Sequence, residues 1–358
     1  MKAAQFYGKK DIRIRDVEVP QAKDDEALIA VEWCGICGTD LHEYLVGPQN
    51  IPIEGHPHPL TNDTLPVTLG HEFCGRVLQA PANSKLEVGQ SVVVDPRLYC
   101  VSCPRCMKSQ TNTCLKWGFL GFSGGGGGGF SETVAVKESM CYALRNPEDL
   151  EFAALVEPLA VAWRAVKSAA IDSFLGRAVL ILGGGPIGIA LILVLRARSA
   201  DQIYVSEPTT KRRAQNEELA DAVFDPIQEK VGDRCRALTG GKGVEFVFDA
   251  AGIPAGCYDG FDSLAHQGTY INVAGWESPF TVPFGLFMFK EVTIKPSFAY
   301  DDVDFSETME AFNEGKFKGL EQMVTSRIRL EDILEKGYKE LIENKDEHIK
   351  ILVSPKAD

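Results

Sequence analysis

A chain of 358 residues is too long for one small hydrophobic core and implies two or three domains. Its 50 acidic side chains outnumber 37 basic ones, for a net charge of −13, and there is no Lys/Arg cluster of the kind that grips phosphate backbones; a nucleic-acid partner is therefore disfavoured. At 45% hydrophobic and 24% charged residues, the composition is that of an ordinary globular protein.

The opening "MKAAQFYGKKDIRIRDV" runs straight into strand-like alternation with no apolar core of a secretory signal, which predicts a cytoplasmic protein with reduced thiols. Roughly the first 150 residues are β-rich: "IRIRDVEV", "ALIAVEW", "SVVVDP" and "ETVAV" are short β-branched runs between turn signals, the pattern of a small barrel or sandwich. Two motifs in this stretch hold candidate metal ligands. "CGICGTDLHEY" contributes Cys34, Cys37 and His42, and "LGHEFCGRV" contributes His71 and Glu72. Each motif alone is more often structural than catalytic, and spacing does not link them.

Cys100, Cys103, Cys106 and Cys114 follow, spaced C-x2-C-x2-C-x7-C. Four thiolates complete a tetrahedron around zinc, so such a site holds a loop in shape and admits no substrate. Disulfides or free surface thiols are the alternatives; in a reducing compartment clustered thiols bind metal more often than they pair. A nucleic-acid finger is disfavoured because the flanks are not strongly basic. The run "SGGGGGG" at Ser123–Gly129 reads as a flexible loop within the first domain.

Near Leu155 the texture changes to alternating strands and helices. The strand-like runs 179–182, 203–206, 222–224, 244–250, 268–273 and 291–295 alternate with helical segments, notably Gly185–Arg198, Thr210–Leu219 and Ala255–Leu264. That alternation predicts a doubly wound parallel sheet. "AVLILGGGPIGIALILVL" is uncharged and long enough to suggest a membrane span, but Gly183, Gly184, Gly185 and Pro186 split it into a buried strand, a tight turn and a buried helix. Gly183, Gly185 and Gly188 have G-x-G-x-x-G spacing, with Pro186 and Ile187 between them, and Glu207 lies nineteen residues beyond Gly188. Such a turn brings backbone close to a pyrophosphate at a helix N-terminus. A carboxylate at Glu207 accepts ribose hydroxyls and repels a 2′-phosphate, favouring NAD, although Lys211, Arg212 and Arg213 keep NADP open. The competing interpretation is a tight turn in a nucleotide-free α/β domain. The last sixty or so residues revert to two helices, "DFSETMEAFNEGKF" and "LEDILEKGYKELIENK", and a closing strand, "HIKILVSP".

Taken in order, "CGICGTDLH", "GHE", the four-cysteine lobe and "GGGPIG" resemble the zinc-dependent medium-chain alcohol and polyol dehydrogenases over essentially the whole chain. The long segment between His42 and His71 and the glycine run most resemble the 2,3-butanediol dehydrogenase branch. The resemblance implies a β-rich GroES-like catalytic domain, 1–154 completed by 297–358, and a Rossmann NAD-binding domain, 155–296. It also implies two zinc ions per chain. The catalytic zinc ligands would be Cys37, His71 and Glu157, with Glu72 as the alternate to Glu157; other alcohol dehydrogenases use a second cysteine as third ligand. Cys100, Cys103, Cys106 and Cys114 would hold the structural zinc. Thr39 would begin a proton relay that His42 ends, by way of the cofactor ribose, His42 as a plain loop histidine being the alternative. Asp40 would orient a ligand imidazole. Gly183, Gly185, Pro186, Ile187, Gly188, Glu207 and Arg212 would line the nucleotide, and Lys350 would contact its pyrophosphate. Cys34 would be a packed thiol.

The function so implied is hydride transfer between NAD and a secondary alcohol, a vicinal diol or acyloin such as 2,3-butanediol and acetoin, in a homodimer or homotetramer. A sugar-alcohol dehydrogenase is the alternative enzyme, and a non-catalytic cofactor-binding relative is the alternative of another class. The segment Tyr44–Thr68 would line or cover the substrate pocket.

Overall fold

The computed structural model describes residues 1–276, 279–282 and 284–356. Two compact units emerge, Met1–Glu157 with Asp301–Glu314 and Val324–Asp358, and Pro158–Tyr300 with Gly315–Met323. Gly315–Met323, assigned in sequence to the completion of the first domain, instead packs within the second unit. There Phe317 meets Trp163 edge-on at 6.3 Å, and Gln322 Nε2 donates to Glu218 Oε2 at 3.0 Å.

In the first unit a ten-residue strand, Glu26–Gly35, is the organising element. It pairs antiparallel with Glu72–Gln79, with Thr133–Lys137 and, at its end, with Lys350–Ser354. Gly35 lies opposite both Glu72 and Leu352, so the chain leaves the sheet at Ile36–Cys37 between a carboxylate from one neighbour and the C-terminal strand from the other. A strand Val324–Arg329, which carries no clear alternation, pairs parallel to Lys350–Ser354. The segment read as one helix from Leu330 divides into a 3₁₀ turn, a π-helical turn Ile333–Lys339 and a short α-helix Glu340–Glu343.

Among the described residues the second unit carries a six-stranded sheet whose pairings are all parallel. In space the strands run Ala222–Phe224, Gln202–Ser206, Ala178–Leu182, Val244–Asp249, Leu264–Asn272 and Thr293–Pro296. Chain order therefore reverses beside Ala178–Leu182, the topological switch point at which doubly wound sheets bind dinucleotides. The apolar stretch that mimicked a membrane span is this central strand and the helix Pro186–Ala197, buried along Ile189–Leu195. No helix among the described residues is long and apolar enough to cross a membrane.

The glycine run is no flexible loop. Gly129 N–H donates to Gly70 O at 2.7 Å and Gly125 N–H to Asp63 Oδ2 at 2.7 Å, while Ala135 N–H donates to Gly126 O at 3.3 Å. Gly126 has φ +116°, and a Cβ there would stand 2.2 Å from Ala135 O, so glycine is required by conformation and by space.

Candidate active site and zinc lobe

The "CGICGTDLHEY" motif folds as the end of strand Glu26–Gly35 followed by the helix Gly38–Val46, with Cys37 at its N-cap. Asp40, fully buried in the first turn, accepts the Cys37 N–H on Oδ2 at 2.8 Å. Its other oxygen, Oδ1, faces His71 Nδ1 at 3.6 Å. His71 is buried between the rings of Phe119 and Phe122, with centroids 5.6 and 4.8 Å away. Burial disfavours its charged form, but Asp40 and Cys37 outweigh burial and raise its pKa well above the ordinary imidazole value. A ring so placed is held by negative neighbours, the setting that a cation occupies.

Ligand atoms of Cys37, His71 and Glu72 all lie within 4.8 Å of one another. This thiol, imidazole and carboxylate set fits zinc. Glu157 is buried in the first turn of the helix Val156–Lys167 and is not in that compact set. Lys350, expected at the pyrophosphate, has its ammonium bonded within the first unit. It is 2% exposed, and its ammonium donates to both Glu72 oxygens at 2.7 and 2.8 Å and to Ile36 O at 3.2 Å. Burial opposes its charge, yet Glu72, Cys37 and Glu157 hold its pKa above the usual lysine value. The strand order that puts Gly35 between Glu72–Gln79 and Lys350–Ser354 makes this pairing unavoidable, and no motif in the sequence signals it.

Thr39 is exposed, its hydroxyl 3.7 Å from Cys37 Sγ; His42, one helical turn on, has Nε2 3.0 Å from Gln49 Oε1. Cys34 packs buried, and burial raises its thiol pKa well above normal. Glu43 was not singled out in the sequence, yet it anchors the start of the segment that follows Tyr44. Wholly buried, it accepts the N–H groups of Gln49 and Asn50 at 2.8 and 2.7 Å. Farther along, Thr61 Oγ1 donates to Ser123 O at 2.5 Å, and His58 Nε2 lies 3.2 Å from Trp117 O. The long segment is thus pinned to the glycine run and to the zinc lobe.

In that lobe neighbouring sulfurs lie 3.5 Å (Cys100–Cys114), 3.6 Å (Cys103–Cys106) and 4.0 Å (Cys103–Cys114) apart. Tetrahedral zinc with bonds of about 2.3 Å requires edges of about 3.8 Å, so the donors fit the ion. The N–H groups of Cys103 and Lys116 donate to sulfur at 3.3 Å. Backbone N–H groups of Cys106 and Leu115 bring Cys103 down to about 6, whereas burial and the neighbouring thiols push Cys106 up to about 12. One thiolate forms readily and discourages another; a bound dication removes that conflict. Arg97, fully buried, ties the lobe in place. It donates to Asp95 at 2.5 and 3.0 Å, to Thr111 Oγ1 at 2.9 Å and to Asp302 Oδ1 at 2.7 Å.

In the second unit the glycine turn follows strand Ala178–Leu182. Gly183 has φ +92°, and a Cβ on Gly188 would stand 2.0 Å from Gly183 O, so only glycine lets the helix start this close to the turn. Glu207 is buried and accepts Gly184 N–H and Thr209 N–H, each at 2.8 Å. Arg213 is spent on Asp225, at 2.9 Å, while Arg212 Nη1 lies 3.6 Å from where a Gly185 Cβ would be. The turn with its helix N-terminus and buried carboxylate fits a dinucleotide.

Two family models match, the alcohol dehydrogenase GroES-like domain over residues 23–146 and the zinc-binding dehydrogenase domain over residues 186–314. The chain is 39% identical to the (R,R)-butanediol dehydrogenase of Bacillus subtilis, over 99% of this chain and 100% of that one. It belongs to the zinc-binding alcohol dehydrogenases. It is an oxidoreductase acting on alcohols, with zinc and a nicotinamide cofactor. The dehydrogenase is also 36% identical to the (R,R)-butanediol dehydrogenase of Saccharomyces cerevisiae, over 99% of this chain and 98% of that one. The crystal structure of 2R,3R-butanediol dehydrogenase from Bacillus subtilis superposes with a TM-score of 0.90 at 37% identity, covering 99% of both chains. A zinc-binding dehydrogenase structure from Sinorhizobium meliloti 1021, bound to NADP, superposes at 0.86 with 26% identity over 99% of both.

Proposed function

We propose that the dehydrogenase interconverts a vicinal diol and its acyloin, 2,3-butanediol and acetoin, using NAD. The observation that carries this reading is the Cys37–His71–Glu72 donor set, within 4.8 Å, in a chain that matches butanediol dehydrogenases end to end. Cys37, His71 and Glu157 would hold the catalytic zinc, while Lys350 keeps Glu72 anchored as the alternate donor. When bound, zinc polarises the substrate oxygen and the nicotinamide exchanges hydride with the carbinol carbon.

The chain's own residues do the rest. Asp40 orients His71 and fixes the Cys37 backbone. The Thr39 hydroxyl, beside Cys37, takes the alcohol proton, and His42, on the same helix face one turn away, passes it toward solvent. Glu207, held to the glycine turn, receives the ribose hydroxyls and repels a 2′-phosphate. The covering segment, pinned at Glu43, His58, Thr61 and Asp63, keeps the pocket small and favours a short diol over a sugar alcohol. The lobe cysteines would hold a second zinc. Phe284, Met288, Phe289 and Ile294 are exposed beside or on the sheet's edge strand Thr293–Pro296, which supports a homodimer formed along that edge.

Initial rates with (R,R)-, (S,S)- and meso-2,3-butanediol, sorbitol and xylitol, each with NAD and with NADP, test the assignment. A butanediol isomer with NAD should exceed both polyols in kcat/KM by at least about tenfold, the scale of 1.4 kcal/mol. Faster turnover of sorbitol or xylitol overturns the substrate, and preference for NADP overturns the role of Glu207.

A further inference from the structure

Asp249 ends the strand Val244–Asp249, and its side chain is buried in the second unit, the residue being 1% exposed. A carboxyl group in such a place is costly unless it is hydrogen-bonded, and this one accepts three hydrogen bonds. Oδ1 takes the N–H groups of Ala251 and Gly252 at 2.9 and 3.0 Å, and Oδ2 takes the Tyr270 hydroxyl at 2.7 Å. The Tyr270 ring is held in its turn. It stacks on Phe261 with centroids 4.5 Å apart, and a Cβ on Gly260 would stand 2.9 Å from Tyr270 Cε2, so glycine there lets the helix Pro254–Ser263 close over the ring.

Parallel register sets Leu182, Asp249 and Asn272 side by side at the carboxyl ends of three neighbouring strands. The turn that Asp249 holds stands against the glycine turn, since a Cβ on Gly183 would lie 3.4 Å from both Ala250 C and Ala251 Cβ. It also meets the turn after the next strand. A Cβ on Gly252 would lie 2.6 Å from Gly275 O, and the Asp249 carbonyl accepts the N–H groups of Val273 and Ala274, each at 2.9 Å. A sheet of this strand order binds a dinucleotide across the crevice at its switch point, one mononucleotide to each half. With Glu207 at the adenosine ribose, the nicotinamide mononucleotide falls to the half that holds Asp249 and Tyr270. We propose that Asp249 and Tyr270 are positioning residues for the nicotinamide half of the cofactor. Asp249 fixes the turn Ala250–Gly252 as a wall of the crevice beside the pyrophosphate turn, and Tyr270 fixes Asp249. The inference rests on reading the glycine turn and Glu207 as the pyrophosphate and adenosine side of the site.

The test is calorimetric titration of full-length wild type and Tyr270→Phe with NADH and with ADP-ribose, which lacks the nicotinamide. Tyr270→Phe should raise the Kd for NADH on the order of tenfold and leave that for ADP-ribose within about twofold. A pair that serves stability alone would lower the melting temperature and weaken both ligands alike or neither, and either pattern overturns the proposal. Two further variants separate the turn from the charge. Asp249→Ala frees the Ala251 and Gly252 N–H groups, whereas Asp249→Asn keeps an acceptor for both. The asparagine variant should therefore bind NADH clearly more tightly than the alanine variant; equal affinities overturn the turn-holding role. If the wild-type chain binds neither ligand, the cofactor reading itself fails; if it binds both and Tyr270→Phe weakens them equally, only this inference fails.

Discussion

Lys350 and Glu72 form a fully enclosed ion pair, with side chains 2% and 1% exposed, next to the proposed metal ligands. Burying either charge alone is costly, so the pair is coupled in stability as well as in position. Lys350→Met should lower the unfolding free energy by about 3–5 kcal/mol, because it strands the Glu72 carboxylate. The double variant Lys350→Met with Glu72→Leu should recover most of that loss in urea unfolding. Additive losses in the two single variants would show that the charges do not depend on each other. Glu72 is also the counter-charge that fixes where Lys350, bonded to Ile36 O beside Cys37, can sit.

At the level of the element, the glycine run shows how composition misleads. Six consecutive glycines suggest an unstructured loop, yet packing on the strands Val67–Thr68 and Thr133–Lys137 and on the segment around Asp63 gives the run a defined place. Gly126 and Gly127 have nearly equal φ values, +116° and +118°, but very different room. A Cβ on Gly126 meets Ala135 O at 2.2 Å, whereas one on Gly127 meets nothing nearer than Val134 Cγ1 at 3.9 Å. Both alanine variants therefore pay the left-handed strain of about 1–3 kcal/mol, and only Gly126→Ala adds a backbone clash. Thermal melts should place Gly126→Ala clearly below Gly127→Ala; equal melting temperatures would mean that the run yields as a loose loop does.

For the whole molecule, the informative contact is Arg97 with Asp302, 205 positions apart in sequence. It joins the four-cysteine lobe, through Thr111, to the start of the helix Asp302–Asn313, which returns from the far end of the chain to complete the first unit. Losing a zinc held by the lobe cysteines should therefore be felt in that helix. Cys106→Ser is expected to bind one zinc fewer per chain, to melt at lower temperature and to show faster hydrogen exchange at residues 302–313. Unchanged exchange there would make the lobe an independent appendage.

Much of this protein could be read from residue order alone, because the signals were local. The glycine turn, its preceding strand and following helix occupy one continuous stretch, and Glu207 follows at the end of the next strand. The four lobe cysteines lie within fifteen residues, so their spacing already implied a closed site. Strands of the nucleotide sheet were visible as short apolar runs because both of their faces are buried. Long-range pairing settled the remainder. That Gly35 stands between Glu72 and the C-terminal strand, and that Lys350 consequently pairs with Glu72, both depend on segments hundreds of residues apart. Hydrophobic periodicity reports which face of an element is buried but not which neighbour covers it. Buried charges are therefore assigned partners only when sheet register brings distant strands together.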